Sequence, residues 1–216
     1  MLDINPLYLL IGLSLLGLAP FFIMMVTSYV KIVVVTSLVR NALGVQQVPP
    51  AMVMNGLAIV LTVFIMAPVA MDTADILKKM PVPQKAGPAD VLNMLDQASP
   101  PLRRFLAANT SEQASNMFVN TARRIWPPNR HHLISKDNLL ILIPSFTITE
   151  LTRAFQIGFV LYLAFIAIDL IISNILLAMG MMMVSPTTIS LPFKLLLFVT
   201  LDGWLKISQG LLLSYH

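Results

Sequence analysis

The stretch AFQIGFVLYLAFIAIDLIISNILLAMGMMMVSP, Ala154 to Pro186, decides the reading of this chain. Its only charge is Asp169. A helix needs roughly 20 apolar residues to cross the hydrocarbon core of a membrane, and Ala154 to Met179 passes that test. Gly180 and Pro186 are turn residues, and a second apolar segment, Ile189 to Tyr215, follows. Residues 149–216 therefore read as a helical hairpin whose turn is Met181-Met182-Met183. From Leu170 to Phe193 no residue is charged. A turn that reaches water normally carries polar side chains. Irregular backbone among apolar groups is tolerated where it is buried in protein or lines a cavity. Methionine is unbranched and polarizable and adapts to irregular partners. Several copies meeting at an axis would make a soft collar of these turns, able to close and to deform. Taken alone, the turn fits ordinary apolar filler at a helix end at least as well.

Outward from the hairpin, the whole chain has the same character. Of 216 residues, 57% are hydrophobic and 11% charged, against about 25% charged in a soluble domain. No charge separates Asp3 from Lys31, or Arg40 from Asp72. Leu7–Val30 and Ala51–Met71 are long enough to span, and Ile189–Tyr215 is long enough but contains Lys194, Asp202 and Lys206. The fold class is all-α, with membrane-associated helical hairpins around a small polar helical insertion. The absence of cysteine excludes disulfides, thiolate metal sites and a cysteine nucleophile. A net charge of +4 on so few charges gives no reason to expect nucleic acid. The first basic residue is Lys31, so no cleaved signal peptide is expected.

Three regions follow. Residues 1–71 are apolar helices, with a break expected at Pro20, a second helix from there to Leu43, and Gly44 as a left-handed cap. A turn at Gln46, Gln47, Pro49 and Pro50 leads to a helix ending near Met71. Residues 72–137 hold most of the charges and the Pro/Gly stretch Met80–Pro88. There Thr110 and Gln113 have capping-box spacing, and Met117, Phe118, Ala122 and Ile125 share a helical face. Residues 138–216 form the hairpin, after an apolar piece interrupted at Pro144. Pro20, Gly44, Gly180, Pro186 and Pro192 are the expected turn or hinge positions.

Charges in apolar surroundings are the second signal. One at the centre of a membrane helix costs roughly 2.5–3.5 kcal/mol, so it is expected to face protein and be paired. Glu150 and Arg153 are three apart and Asp202 and Lys206 four apart, spacings that allow pairing along a helix. Lys31 and Asp169 have no local partner and are expected to pair between helices or between subunits. Snorkelling to an interface is the competing account for Lys31, Lys194 and Lys206, but not for the short Asp169. Catalytic patterns are missing. His131 and His132 are adjacent and point different ways, and no Walker loop, HExxH or GxSxG occurs. An enzyme, a metal and a cofactor are not expected.

Several long strings resemble one family. Thr27-Ser28-Tyr29-Val30-Lys31 runs on to Leu38-Val39-Arg40-Asn41-Ala42-Leu43-Gly44-Val45-Gln46-Gln47-Val48-Pro49-Pro50. Pro144-Ser145-Phe146 leads through Glu150-Leu151 to Ala154-Phe155-Gln156-Ile157-Gly158-Phe159. Leu177 to Pro186 leads to Leu191-Pro192-Phe193-Lys194 and Asp202-Gly203-Trp204. These resemble the FliP/SctR family, the R component of the type III secretion export apparatus, over both flanks but not the middle region. The resemblance implies a homopentamer joined by SctS-like and SctT-like subunits in a conical export gate. SctU-like and SctV-like proteins adjoin it, and unfolded secreted proteins thread through. It implies the bacterial inner membrane, with the gate raised toward the periplasmic side. It makes Met181, Met182 and Met183 the gasket, and has Asp169 and Lys194 joining neighbouring subunits. Gln46-Gln47 before Pro49-Pro50 looks like the injectisome branch rather than the flagellar one. Ala164, where relatives often have proline, departs from the pattern and touches only a local bend. A stand-alone transporter or channel is the rival reading, since broken helices and intramembrane charges fit one too. The chain is short for it and shows no internal repeat.

Overall fold

The computed structural model describes residues 6–45, 48–80 and 88–215. Gln46, Gln47 and most of the Met80–Pro88 stretch lie outside the described residues. The described elements are helices: α1 (Pro6–Met25), α2 (Tyr29–Leu43), α3 (Ala51–Lys79), α4 (Pro88–Ala98), α5 (Pro100–Asn109), α6 (Glu112–Ile125), a 3-10 turn (Pro128–Leu133), α7 (Leu139–Ala178), α8 (Pro186–Thr200) and α9 (Gly203–Leu213).

The core is organised around α2. Its run Ile32-Val33-Val34-Val35-Thr36 is β-branched and disfavours helix on propensity alone. Packing overrides this, because Ile32, Val35, Val39, Ala42 and Leu43 form a buried stripe at spacings of three and four. Ala58 of α3 and Ala154 of α7 belong to the same core, and such small residues let helix backbones approach. The packing is tight at Gly158 of α7, where an added Cβ would meet Leu38 Cδ1 at 2.3 Å and Leu38 Cβ at 3.1 Å.

α3 and α7 are each long and apolar enough to cross a membrane, and α8 with α9 makes a third apolar run bent by 59°. With 40 residues, α7 is about 60 Å long, roughly twice the hydrocarbon thickness. Its first part packs on α5 and α6 of the polar region, and the helix also packs on α2 and α8. Phe155, Phe159 and Leu163 of α7 and Val60, Val63 and Phe64 of α3 stay exposed. Apolar faces of this extent mark a contact with lipid or with other protein chains.

The prolines do not act as the sequence suggests. Pro20, Pro144 and Pro192 all lie inside helices, so none breaks its helix. Each removes one backbone bond. In apolar surroundings the other backbone groups still need partners, and continuing the helix supplies them. The break expected at Pro20 falls instead at residues 26–28. The second half of the hairpin is interrupted not at Pro192 but at Leu201–Asp202, where Asp202 is left-handed (φ 50).

Other boundaries also move. α3 continues past Met71 to Lys79, because Asp72 and Asp75 add charge without breaking the helix. The cap of α6 is Ser111, whose hydroxyl accepts from the Ala114 N–H at 3.2 Å. Thr110 instead ends α5, its hydroxyl donating to the Leu106 carbonyl at 2.7 Å. The start of α6 is thus one residue later, and its buried residues are Ala114, Ser115 and Ala122, while Met117 and Ile125 are exposed. Two glycines do hold positive φ: Gly44 ends α2 at φ 75, and Gly180 follows α7 at φ 71.

The contact at Gly158 gives a direct test of this core. Gly158→Val is expected to force α2 and α7 apart and destabilise the chain by about 1–3 kcal/mol, the usual cost of overpacking. Thermal unfolding in detergent measures it, and adding Leu38→Ala should restore much of the loss. Equal losses with and without Leu38→Ala would show that the close approach is not what matters.

Candidate functional site

α7 places Glu150 in the interior, where its side chain is 0% exposed. Lys31 of α2, 1% exposed, puts Nζ 3.2 Å from Glu150 Oε2 and 3.3 Å from Oε1. Arg153, one turn along α7, has Nη1 3.5 Å from Oε1 and donates to the Asn109 carbonyl at 3.0 Å. The Tyr215 hydroxyl donates to Glu150 Oε2. Tyr215 also lies under Lys31, whose Nζ is 3.5 Å from the ring centroid, a cation–π arrangement. Its other neighbour is Phe105 of α5, stacked with centroids 5.8 Å apart. Burial, then the charge of Glu150, pushes the Tyr215 phenol above its ordinary value, so it remains a donor. The Thr27 and Ser28 hydroxyls, at the break between α1 and α2, are buried without hydrogen-bond partners among the described residues.

A second cluster joins the hairpin to α2. Lys194 of α8 has Nζ 2.6 Å from Asp169 Oδ2 and 3.1 Å from the Ala42 carbonyl. That carbonyl belongs to the last turn of α2, where helix carbonyls lack intrahelical partners and attract cations. Ser190, one turn before Lys194, donates to Asp169 Oδ1 at 2.5 Å.

Lys31 and Asp169 therefore do pair between helices, and both pairs lie within one chain. Lys31 and Lys194 are buried, which removes the snorkelling account for both. Asp169 and Lys194, implied by the resemblance to join neighbouring subunits, are partners of each other. Glu150 and Arg153 pair as their spacing suggests. Asp202 and Lys206 do not form an ion pair: Asp202 caps α9 in a left-handed conformation and its carbonyl accepts the Lys206 N–H at 3.0 Å, but the two side chains stay apart. Both are exposed.

The methionine turn is built by a closing motif with glycine at its centre. The Gly180 N–H donates to the Leu177 carbonyl at 3.0 Å and the Met181 N–H to the Leu176 carbonyl at 2.9 Å, the two bonds of a Schellman motif. The motif satisfies the end of α7 without polar side chains. Met182 is 83% exposed and Met183 fully exposed, so a single chain does not bury its own turn. Pro186 begins α8 at a position where a missing N–H costs nothing.

The sequence did not point to Tyr215, Phe105, Ser190 or the Ala42 carbonyl. A signal existed only for Ser190, which lies four residues before Lys194 and shares its helix face. Tyr215 is 65 residues from Glu150, and no local pattern connects them.

The FliP family model matches residues 12–211. The chain is 54% identical to the Yop proteins translocation protein R of Yersinia pestis over 207 residues, 96% of this chain and 95% of the relative. It is 50% identical to the virulence protein YscR of Salmonella typhimurium, over 93% of this chain and 92% of the relative. It is 47% identical to the hypersensitivity response secretion protein HrcR of Ralstonia nicotianae, over 93% of each.

Two substitutions separate the partners of Glu150. Lys31→Met leaves a buried carboxylate short of its main cation and is expected to cost about 3–5 kcal/mol. Tyr215→Phe removes one donor to a charged group and should cost about 1.5–3 kcal/mol. Thermal denaturation in detergent, followed by circular dichroism, reads both. Combining Lys31→Met with Glu150→Gln should recover a large part of the first loss, and no recovery would mean that the pair does not act as a unit.

Proposed function

The chain belongs to the FliP family, and on that premise we propose that it is a core export-gate subunit of a type III secretion apparatus. It acts as a structural, non-catalytic component through which unfolded proteins cross the bacterial inner membrane. The relatives' names, which speak of translocation, virulence and hypersensitivity-response secretion, favour an injectisome over a flagellar role. In this reading five copies join SctS-like and SctT-like subunits, next to SctU-like and SctV-like proteins, in a gate raised toward the periplasmic side. The exposed apolar faces of α3 and α7 support extensive contact with neighbours or lipid.

The observation that carries the proposal is the unburied methionine turn. α7 ends in a Schellman cap and presents Met182 and Met183 outward. A ring of such turns offers a surface with no charge to bind and no fixed shape to match. It closes on itself by apolar contact and yields to varied polypeptides, because methionine has many low-energy conformers. The rigid parts of the hairpin, tied by Asp169, Ser190 and Lys194, would hold the turns in place while their side chains move.

The test is a leak. Replacing Met181, Met182 and Met183 together with alanine is expected to raise the ion conductance of membranes carrying the resting apparatus without substrate. Wild-type conductance, with the assembled complex present in normal amount, would sink the seal while leaving family membership intact.

A further inference from the structure

Two cations face one carboxylate in the core of the chain. Lys31 and Arg153 both pair with Glu150, so the cluster keeps one positive charge. Lys31 is buried against Glu150 and the Tyr215 ring. The Arg153 side chain is 39% exposed, so the excess charge is accessible there. A guanidinium carries five donors in a planar fork. In Arg153 both contacts, to Glu150 and to the Asn109 carbonyl, are made by Nη1, and the rest of the fork has no partner among the described residues.

Arg153 lines a cavity of about 420 Å³ between α6 and α7. Gln113 and Met117 of α6 and Ile148, Thr152 and Gln156 of α7 line it too, and no acidic residue does. The two glutamine amides can donate to an anion beside the guanidinium. Met117 and Ile148 are about half-exposed, and their apolar walls suit the methylene stem of an incoming side chain.

We propose that this cavity receives a carboxylate carried by an aspartate or glutamate of a neighbouring protein chain. A carboxylate meets the arginine fork in two parallel hydrogen bonds, and it neutralises the charge that Glu150 leaves over. A neutral chain laid over the cavity would strip water from Arg153 without replacing it, and an uncompensated charge resists that. An acidic partner is therefore favoured over a neutral one. The inference rests on the reading that the chain works within an assembly of protein subunits, and it names the chemistry of one contact in it.

The test turns on the sign of charge in the cavity and leaves Arg153 itself untouched. Gln113→Glu and Gln156→Glu each supply a carboxylate from the chain's own walls, one from α6 and one from α7. Each is expected to lower about tenfold the apparatus subunits recovered with the tagged full chain in mild detergent, because like charges then meet. Gln113→Lys and Gln156→Lys, of similar bulk and opposite sign, should leave recovery at the wild-type level. Equal recovery with Glu and with Lys, whether unchanged or equally reduced, means that the arginine is merely hydrated or the wall merely packed, and overturns the proposal alone. The source of the carboxylate is read on the purified chain, unfolded thermally in sodium acetate and in sodium chloride at equal ionic strength. Matching unfolding temperatures are expected for a site that needs a protein-borne acid. Stabilisation by acetate, with recovery indifferent to sign, puts a free anion in the cavity and overturns the proposal. A wild-type chain recovered with no other subunit beside it overturns the assembly reading as well.

Discussion

A carboxylate inside an apolar chain has to be surrounded by cations and donors, and in this protein Glu150 is the group that sets this demand. An isolated buried charge is costly by any measure, and no single neighbour meets the whole cost. Lys31 comes from α2, Arg153 from the next turn of α7, and the Tyr215 hydroxyl from beyond the end of α9. Tyr215 in turn stacks on Phe105 of α5, and Arg153 reaches the Asn109 carbonyl at the end of that helix. Satisfying one side chain therefore fixes the relative positions of α2, α5, α7 and the chain end after α9. Apolar packing alone would let these helices slide, since hydrophobic contact has no direction.

The second cluster does the same at the other end of α2. Lys194 lies between Asp169 and the Ala42 carbonyl, so α2 is held near its start by Lys31 and in its last turn by Lys194. With 15 residues, α2 is about 22 Å long, and its two ends are tied to α7 and to the α7–α8 pair. The hairpin is thereby mounted on a rigid strut. The methionine turn lies beyond this mounting, free of polar ties to the rest of the chain. Stiffness in the legs and softness at the tip follow from where the polar groups stop.

The sequence shows which residues are under constraint better than it shows what meets them. Asp169 and Lys31 stand out because a charge in apolar surroundings is expensive wherever it sits. Their partners lie far along the chain, as with the separation of 119 residues between Lys31 and Glu150, and no period or motif encodes that distance. Glu150 and Arg153 were legible because three residues make one helical turn. Gly44 and Gly180 stood out as turn residues and hold positive φ. Proline was misleading. Pro20, Pro144 and Pro192 stay within helices, while the breaks at residues 26–28 and 201–202 contain none. Rules learned from water-exposed helices treat proline as a stop. An apolar environment penalises every further unpaired backbone group, so one lost bond is tolerated and a stop is not.

Among the described residues, what a single chain leaves open is mainly apolar, the buried Thr27 and Ser28 hydroxyls aside. The backbone at the end of α7 is closed, and the buried side-chain charges are paired. The wide faces of α3 and α7 and the methionine turn are open. Association through such faces is strong but poorly specified, because an apolar face accepts many rotations and shifts of its partner. The proposed gate, sealed by a meeting of turns, cannot tolerate that freedom, since a displacement of one helical turn, about 5.4 Å, would move a turn out of the ring. Registration has to come from directional groups left over after the chain has satisfied itself. Glu150, Lys31, Asp169 and Lys194 are already committed to partners inside the chain, so under the proposed assembly that registration falls to other groups.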